Sequence, residues 1–214
     1  MSLTSTSPLT TRMAPVSEQV QRLIDIGVPD AAGISAEELR DHAARLRGDA
    51  DSILAIHPRL APASALAPLL SRAGRPGFVV SDFTDLDEFE AIDGLALPEH
   101  PLYLLRHLDR GDDLANRTPD ETLPELRARG RRPLTIGEGI SWLLQQPELL
   151  QPNRCFMTIG SRLRTATGLD ARTPAIWISG GTGRDGRARR GAPKVGWCWA
   201  GSRHTWLGFA SVAA

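Results

Sequence analysis

This 214-residue sequence has few of the features that mark secreted, membrane-spanning or nucleic-acid-binding proteins. Its two cysteines, Cys155 and Cys198, are too few for a disulfide framework or an all-cysteine zinc site. No segment approaches the roughly 20 apolar residues that a membrane span needs. The 25 basic residues equal the 25 acidic ones, so the overall attraction to polyanions that a dedicated nucleic-acid binder shows is missing. We therefore expect a cytoplasmic protein that contacts neither membrane nor nucleic acid.

Helix-start signals occur in both halves of the chain. Ser17 can cap a first helix, and Ser35 with Glu38 forms a capping box for a second. The same box recurs near residues 118–121 and 135–138, which predicts two later helices. We expect a disordered leader over residues 1–15. It is followed by a helical arm over 16–72 that packs on the rest of the fold or on a second copy in a homodimer.

Short apolar runs separated by Gly, Pro or charged turns indicate strands in the remainder. They fall at residues 77–80, 102–108, 155–159, 175–179, 195–200 and 205–212. Three prolines interrupt residues 53–70, so a linker-like crossing is predicted there. The strands do not alternate regularly with helices. The order therefore predicts an α+β fold, with the helical N-terminal arm packed on a largely antiparallel β-sheet that carries two inserted helices, and with a core domain over 73–214.

Residues 180–194 combine glycine with arginine, which gives a flexible backbone and planar donors suited to an anionic ligand. The G-x-G-x-x-G spacing at 181–186 follows a predicted strand but leads into another strand, not into the helix that a dinucleotide fingerprint requires. An anion-binding loop and a solvated hairpin connection remain as alternatives. The candidate substrate-binding cations are Arg184, Arg187, Arg189, Arg190 and Lys194.

The strand after this loop carries Trp197 and Trp199 on one face and Cys198 on the other. The tryptophans can belong to the core or can form a stacking wall for a flat substrate. Cys198 needs a neighbouring base to act as a nucleophile, and His204 would supply one if the last two strands formed a hairpin. Burial as an unreactive thiol is the alternative for Cys198, as it is for Cys155.

A second polar cluster lies at the end of the predicted strand 102–108. His107 and Asp109 would share a strand face, with Asp112 and Asp113 in the following turn. Such a set can transfer protons or hold a hard cation. Alternatively, the aspartates cap their own turn and pair with nearby arginines.

Several unusual segments resemble a family of uncharacterised actinobacterial proteins known as a domain of unknown function. They are Tyr-Leu-Leu-Arg-His-Leu-Asp-Arg-Gly-Asp at 103–112, Arg-Pro-Leu-Thr at 132–135, Gln-Pro-Asn-Arg-Cys-Phe at 151–156, Gly-Trp-Cys-Trp-Ala-Gly at 196–201 and His-Thr-Trp-Leu-Gly at 204–208. The likeness covers about residues 78–212 and, weakly, the N-terminal helices. It implies a bacterial cytoplasmic protein encoded beside specialised-metabolite genes, and it carries no activity.

Together these residues favour a small-molecule enzyme that works by acid/base chemistry without an organic cofactor or a metal. The substrate would be anionic or aromatic, and isomerisation, cyclisation, elimination or hydrolysis fit equally well. His107, Asp109 or His204 would transfer the proton in a composite site that joins the two polar regions, with Cys198 as the alternative nucleophile. The competing function is a noncatalytic binding module for a nucleotide, another anion or an acidic protein.

Overall fold

The computed structural model describes residues 13–214, so most of the leader predicted at 1–15 lies outside the described residues. The helices are α1 Val16–Asp25, α2 Val28–Ala32, α3 Ala36–Ala43, α4 Ala63–Leu66, α5 Pro119–Ala128 and α6 Ile136–Gln145. The strands are β1 Ser52–Ile56, β2 Ser71–Arg72, β3 Arg75–Pro76, β4 Phe78–Val79, β5 Glu90–Ala91, β6 Leu102–Arg106, β7 Arg131–Pro133, β8 Cys155–Met157, β9 Ser161–Arg162, β10 Arg164–Thr165, β11 Gly168–Leu169, β12 Arg172–Ile178, β13 Pro193–Trp199, β14 Leu207–Phe209 and β15 Ser211–Ala213.

Three helices begin at the capping boxes that the sequence predicts. In α3, α5 and α6 the N-cap hydroxyl accepts from the N3 amide, and the N3 glutamate accepts from the N-cap amide. Each box satisfies two backbone donors that have no partner inside the helix. The expected Ser17 cap is wrong, because Pro15 is the N-cap of α1 and makes no side-chain cap. Proline fits that boundary since it lacks the amide that would need a partner.

The largest sheet has five strands in the order β14-β8-β12-β13-β4. Its long central pair, β12 and β13, is antiparallel over seven residues. β8 pairs with β12 in antiparallel orientation. At the two edges of the sheet, β14 pairs with β8 and β4 pairs with β13, both in parallel orientation. The remaining pairings between named strands are antiparallel ribbons. The predicted α+β class with a largely antiparallel sheet is therefore confirmed.

The linker predicted at residues 53–70 is wrong, because this segment begins with β1, whose five residues are all buried. β1 pairs antiparallel with β6, and Leu54 lies opposite Leu104. The prolines on which the prediction relied follow the strand and bound the short helix α4 instead. A continuous apolar run such as Ile53 to Ile56 is typical of a strand covered on both faces.

Side chains of α1 join the N-terminal helices to the rest of the fold. The buried Gln19 amide donates to the Ser52 carbonyl at 2.8 Å and accepts from the Leu54 amide at 2.8 Å, so it pairs with β1 much as a strand would. Arg22 Nε donates to the Leu144 carbonyl at 2.6 Å, which ties α1 to α6. The region 16–72 thus contributes a strand as well as helices to the structure.

Helix α6 lies between the β1–β6 ribbon and the five-stranded sheet. On one side its Ser141 Oγ accepts from the Ile56 amide at 3.1 Å. On the other side a Cβ added at Gly139 would stand 2.6 Å from Thr158 Cγ2 and 3.2 Å from the Phe156 ring, so glycine permits the close approach. The N-terminus of α6 consequently lies beside His57, the residue that follows β1. Within residues 13–214 no helix is long and apolar enough to cross a membrane.

Candidate functional site

Two of the predicted anion-binding cations are paired with carboxylates of the protein itself. Lys194 Nζ lies 2.9 Å from Asp185 Oδ2, and Arg184 lies 2.8 Å from Asp82 Oδ2. Arg189 stacks its guanidinium 4.3 Å from the centroid of the Phe78 ring. Arg187, Arg189 and Arg190 are exposed and have no ion-pair partner among the described residues. The loop therefore retains three unpaired cations on its surface. The described fold contains four cavities of about 310 to 580 Å³, and none of the five candidate cations lines any of them.

Asp185→Asn is expected to speed amide hydrogen exchange in residues 180–193. The half-buried Lys194 ammonium would lose its counter-charge, and the single remaining oxygen would be a weaker acceptor for both Lys194 and Ser179 Oγ, which lie 2.9 and 2.8 Å from Asp185 Oδ2. Mass spectrometry of the exchanging protein measures this change. Asp82→Asn removes the partner of the exposed Arg184 and should leave exchange nearly unchanged. Equal exchange in both variants would show that backbone bonds alone hold the loop.

The two tryptophans of β13 share one face of the strand, as predicted, but they line none of the four cavities described above. Trp197 and Trp199 lie on the same face with ring centroids 4.6 Å apart and planes at 67°, and Trp199 is 53% exposed. Between them Cys198 faces the other side of the sheet, opposite Thr173 of β12. Burial raises the pKa of Cys198 to about 11, so the thiolate fraction at neutral pH is small. This geometry favours a packed thiol over a nucleophile.

The hairpin expected to join Cys198 and His204 does not form. β13 and β14 are separated in the sheet by β12 and β8, because β14 pairs with β8 instead. The His204 ring packs 5.5 Å from Trp206, and its buried Nε2 has no hydrogen-bond partner among the described residues. Burial lowers the pKa of His204. The imidazole is thus a neutral packed ring rather than the activating base of Cys198.

The strand face predicted to hold His107 and Asp109 is also wrong, because β6 ends at Arg106 and His107 adopts a positive φ of 52°. The His107 side chain is exposed, and its carbonyl accepts from Arg131 Nη2 at 2.6 Å. Asp109 Oδ1 accepts from the Gly111 amide at 2.8 Å, as a turn-capping aspartate does.

The two following aspartates form surface ion pairs. Asp112 pairs with Arg110 and Asp113 pairs with Arg129, each at 2.6 Å. The side chains of residues 107–113 therefore cap their own turn and form ion pairs, which is the alternative that the sequence had left open. We call this turn a structural junction. Within residues 13–214, no group of three or more His, Cys, Asp or Glu side chains is arranged to hold a metal ion.

A cavity of about 450 Å³ opens where β1 ends, beside the N-terminus of α6, and we call it the His57 cavity. Its size falls within the range of small-molecule sites, and its wall mixes apolar with polar groups. The apolar side chains include Leu86, Phe89, Leu97 and Ile136, and the polar residues include His57, Arg59, Asp87, Glu90, Thr135 and Ser161.

His57 is the most distinctive of these residues. It is only 6% exposed, and its Nδ1 accepts from the Arg59 amide at 3.0 Å. Burial, and to a smaller degree the Arg59 charge, lower the pKa of His57, so the ring is neutral at pH 7. With Nδ1 acting as an acceptor, the single ring proton sits on Nε2. Nε2 makes no hydrogen bond to residues 13–214 and is not among the fully buried unpaired atoms, so it is the donor that the ring can offer to a ligand.

A buried polar cluster supports the ring from behind. The Tyr103 ring packs edge-on against His57 with centroids 6.3 Å apart, and its hydroxyl donates to Glu138 Oε1 at 3.2 Å. Burial raises the pKa of Tyr103, which keeps the hydroxyl protonated. The fully buried Glu138 also accepts two hydrogen bonds from Arg132, at 2.7 and 3.0 Å, and one from the Thr135 amide at 2.8 Å. Every member is satisfied, so the cluster is a rigid scaffold.

Two carboxylates line the His57 cavity, and they differ in whether the protein satisfies them with hydrogen bonds. Asp87 accepts from both the amide and the hydroxyl of Ser64. Glu90 is exposed and makes no side-chain hydrogen bond or ion pair among residues 13–214. Glu90 is thus the carboxylate that remains available to a ligand beside His57.

Sequence reasoning did not select His57 or Glu90. His57 had no recognisable partner, because the groups around it are a backbone amide and a tyrosine 46 positions away. One signal was available, since His57 directly follows a run of five buried residues and so stands at the end of a core strand. Polar residues at strand ends are frequent ligand contacts.

The chain belongs to a family of unknown function, DUF5701, whose model matches residues 22–214. This match confirms the resemblance to a family without an assigned activity, whereas the bacterial origin that the resemblance implies stays a prediction. No curated protein and no solved structure matches the chain. Its function must therefore be inferred from its own residues.

Proposed function

We propose that this chain is a small-molecule enzyme that works by acid/base chemistry of its side chains, with the His57 cavity as its active site. The observation that carries the proposal is the neutral, almost fully buried His57, held in one tautomer and lining a cavity that also holds an unpaired carboxylate. A titratable group with a shifted pKa in a mixed apolar and polar cleft is the usual signature of a catalytic site.

The roles of the two groups follow from what each offers a ligand: His57 has a free hydrogen-bond donor at Nε2, and Glu90 has a carboxylate without a partner among residues 13–214. Glu90 can accept a proton from a carbon next to a carbonyl group, while His57 Nε2–H donates a hydrogen bond to the carbonyl oxygen as negative charge develops there. The reaction class is then an isomerisation or elimination that begins by proton removal. The proposed acid/base residues therefore differ from the predicted His107, Asp109 and His204. His57 follows the end of β1 and His107 follows the end of β6, so the two histidines lie at opposite ends of the antiparallel β1–β6 ribbon.

A test that needs no known substrate is deuterium incorporation from D2O into a panel of hydroxyketones and keto acids, followed by proton NMR. We expect wild-type protein to exchange the hydrogen beside the carbonyl of at least one compound class. Glu90→Gln should lower that rate by about 10²-fold or more, and His57→Gln by about 10-fold or more. His107→Gln is the matched control and should keep the wild-type rate.

A second candidate function is a noncatalytic binding module for an anionic partner. The observation in its favour is that Arg187, Arg189 and Arg190 are exposed without carboxylate partners among the described residues. If no compound exchanges deuterium and Arg187→Ala with Arg190→Ala weakens binding of a nucleotide such as ATP, this function is favoured and the enzyme proposal fails.

A further inference from the structure

A second cavity of about 580 Å³ adjoins the first, and we call it the Arg162 cavity. The two share Asp87, Glu90 and Ala91 in their walls. Helix α5 forms one side with Asp120, Leu123 and Arg127, which stand three and four positions apart and so on one helix face. Strand β9 and the β10–β11 hairpin complete the wall.

Arg162 is the unusual member of this cavity. The residue is only 7% exposed, and one of its three guanidinium nitrogens, Nη2, donates to the Asp170 carbonyl at 2.7 Å. Its Nε is buried without a hydrogen-bond partner among residues 13–214, and Nη1 also has none there. Among residues 13–214 the guanidinium of Arg162 forms no ion pair, because the nearby Asp170 carboxylate is paired with Arg172 instead, so a largely buried charge is left short of acceptors. Such a group is costly unless another acceptor satisfies it. Nη1 is not among the fully buried unpaired atoms, so it is the nitrogen that a ligand in the cavity can reach.

The charges around Arg162 exclude a simple anion as the best ligand. Asp93 is neutralised by Arg164, and Asp87 is held by Ser64. Three exposed carboxylates remain without a partner among the described residues, those of Glu88, Glu90 and Asp120. These three carboxylates and the guanidinium groups of Arg162 and Arg127 give the cavity both negative and positive charges that are not paired with each other. A ligand that carries both an anionic and a cationic group matches this arrangement.

Asp120 and Arg162 line the same cavity, and their proximity and the apolar part of the wall narrow the class of ligand. Asp120 is close enough to Arg162 to raise the pKa of its guanidinium, against the larger lowering by burial. Opposite charges on neighbouring groups suit a compound whose ammonium and carboxylate are close together. The leucines at 123, 163 and 169 supply aliphatic surface, and Leu169 is 49% exposed although it is large and apolar.

We infer that the Arg162 cavity binds a free aliphatic α-amino acid, with the carboxylate on Arg162, the ammonium group on Asp120 and the side chain against the leucines. This inference goes beyond the proposed function and holds whether or not His57 is catalytic, because the site and its readout are those of binding alone.

Isothermal titration calorimetry with L-leucine as the probe tests the inference. We expect wild-type protein to bind L-leucine. Two analogues, 4-methylpentanoate without the amino group and isopentylamine without the carboxylate, should each bind at least about 10-fold more weakly. Absence of L-leucine binding at about 10 mM would overturn the inference, as would equal binding of 4-methylpentanoate, which would indicate a plain carboxylate site.

Variants locate the site. Arg162→Gln and Asp120→Asn should each weaken L-leucine binding by at least about 10-fold. Since Arg162 is buried and its variant can fail to fold, the exposed Asp120→Asn keeps the inference testable. Arg45→Gln and Asp41→Asn remove the same charges from exposed positions elsewhere and should bind as wild type does. His57→Gln should also leave L-leucine binding unchanged, so failure of the enzyme proposal and failure of this inference give different results.

Discussion

Glu138→Gln is expected to lower the free energy of unfolding by about 3 kcal/mol. The carboxylate is fully buried and accepts from Arg132, Tyr103 and the Thr135 amide. Glutamine preserves the size of the side chain and can still accept at one oxygen, but it leaves the Arg132 guanidinium without a counter-charge. The unpaired charge on the half-buried Arg132 costs more than the lost hydrogen bond itself, because the guanidinium is only partly rehydrated.

Chemical denaturation of the wild type and the variant measures this difference, and the melting temperature should fall by roughly 6 to 12 °C for a chain of this size. Glu38→Gln is the matched control, since Glu38 fills the same N3 position of the capping box of α3 but is exposed and has no arginine partner within residues 13–214. A small effect there combined with a large effect at Glu138 assigns the loss to the buried pair. Equal effects would mean that the capping box alone accounts for the role of Glu138.

Comparison of these two glutamates shows which part of the fold the sequence can reveal. A capping box is a local pattern of four residues, and all three predicted boxes form. The pairing of Glu138 with Arg132 depends on how β7 runs past the start of α6, and nothing in the spacing of the two residues predicts it. Start signals of helices were therefore predictable, whereas the interior partners of the same residues were not.

The errors in strand order have the same origin. The predicted apolar runs coincide with seven of the fifteen strands, and the order of strands is set by contacts between distant segments. β14 pairs with β8, which lies about 50 residues earlier, so the hairpin inferred from sequence proximity did not form. β1 was taken for a linker because prolines follow it, although its own five residues are continuous and apolar.

The candidate site was the least predictable part. Its members come from the end of β1, from β5 and from β9, which meet only in the folded chain. Arg162 offered no sequence signal, because its significance lies in being buried with unsatisfied donors. The motifs that drew attention in the sequence supply mainly surface contacts: Lys194 pairs with Asp185, Asp112 pairs with Arg110, and Trp197 packs against Trp199.

Gly111→Ala is expected to destabilise the protein by roughly 3 kcal/mol or more, or to prevent folding. Gly111 has a φ of 70°, a conformation that costs an alanine about 1 kcal/mol. In addition, an added Cβ would stand 2.3 Å from the Phe209 carbonyl oxygen and 2.9 Å from two further backbone atoms of β14. Backbone atoms in a paired strand cannot move aside without breaking the β14–β8 pairing.

Gly94→Ala separates the two contributions, because Gly94 has a similar φ of 78° but nothing within 4 Å of the added Cβ. We expect Gly94→Ala to cost about 1 kcal/mol, and the excess at Gly111 to measure the clash with β14. Urea unfolding gives both values, and hydrogen exchange of the Phe209 and Ser211 amides should accelerate only in Gly111→Ala. Equal destabilisation by the two variants would show that the 107–113 turn packs loosely on β14. The turn would then be free to move and would not be the structural junction described above. The hypothesis that His107 and Asp109 belong to an acid/base site would gain support.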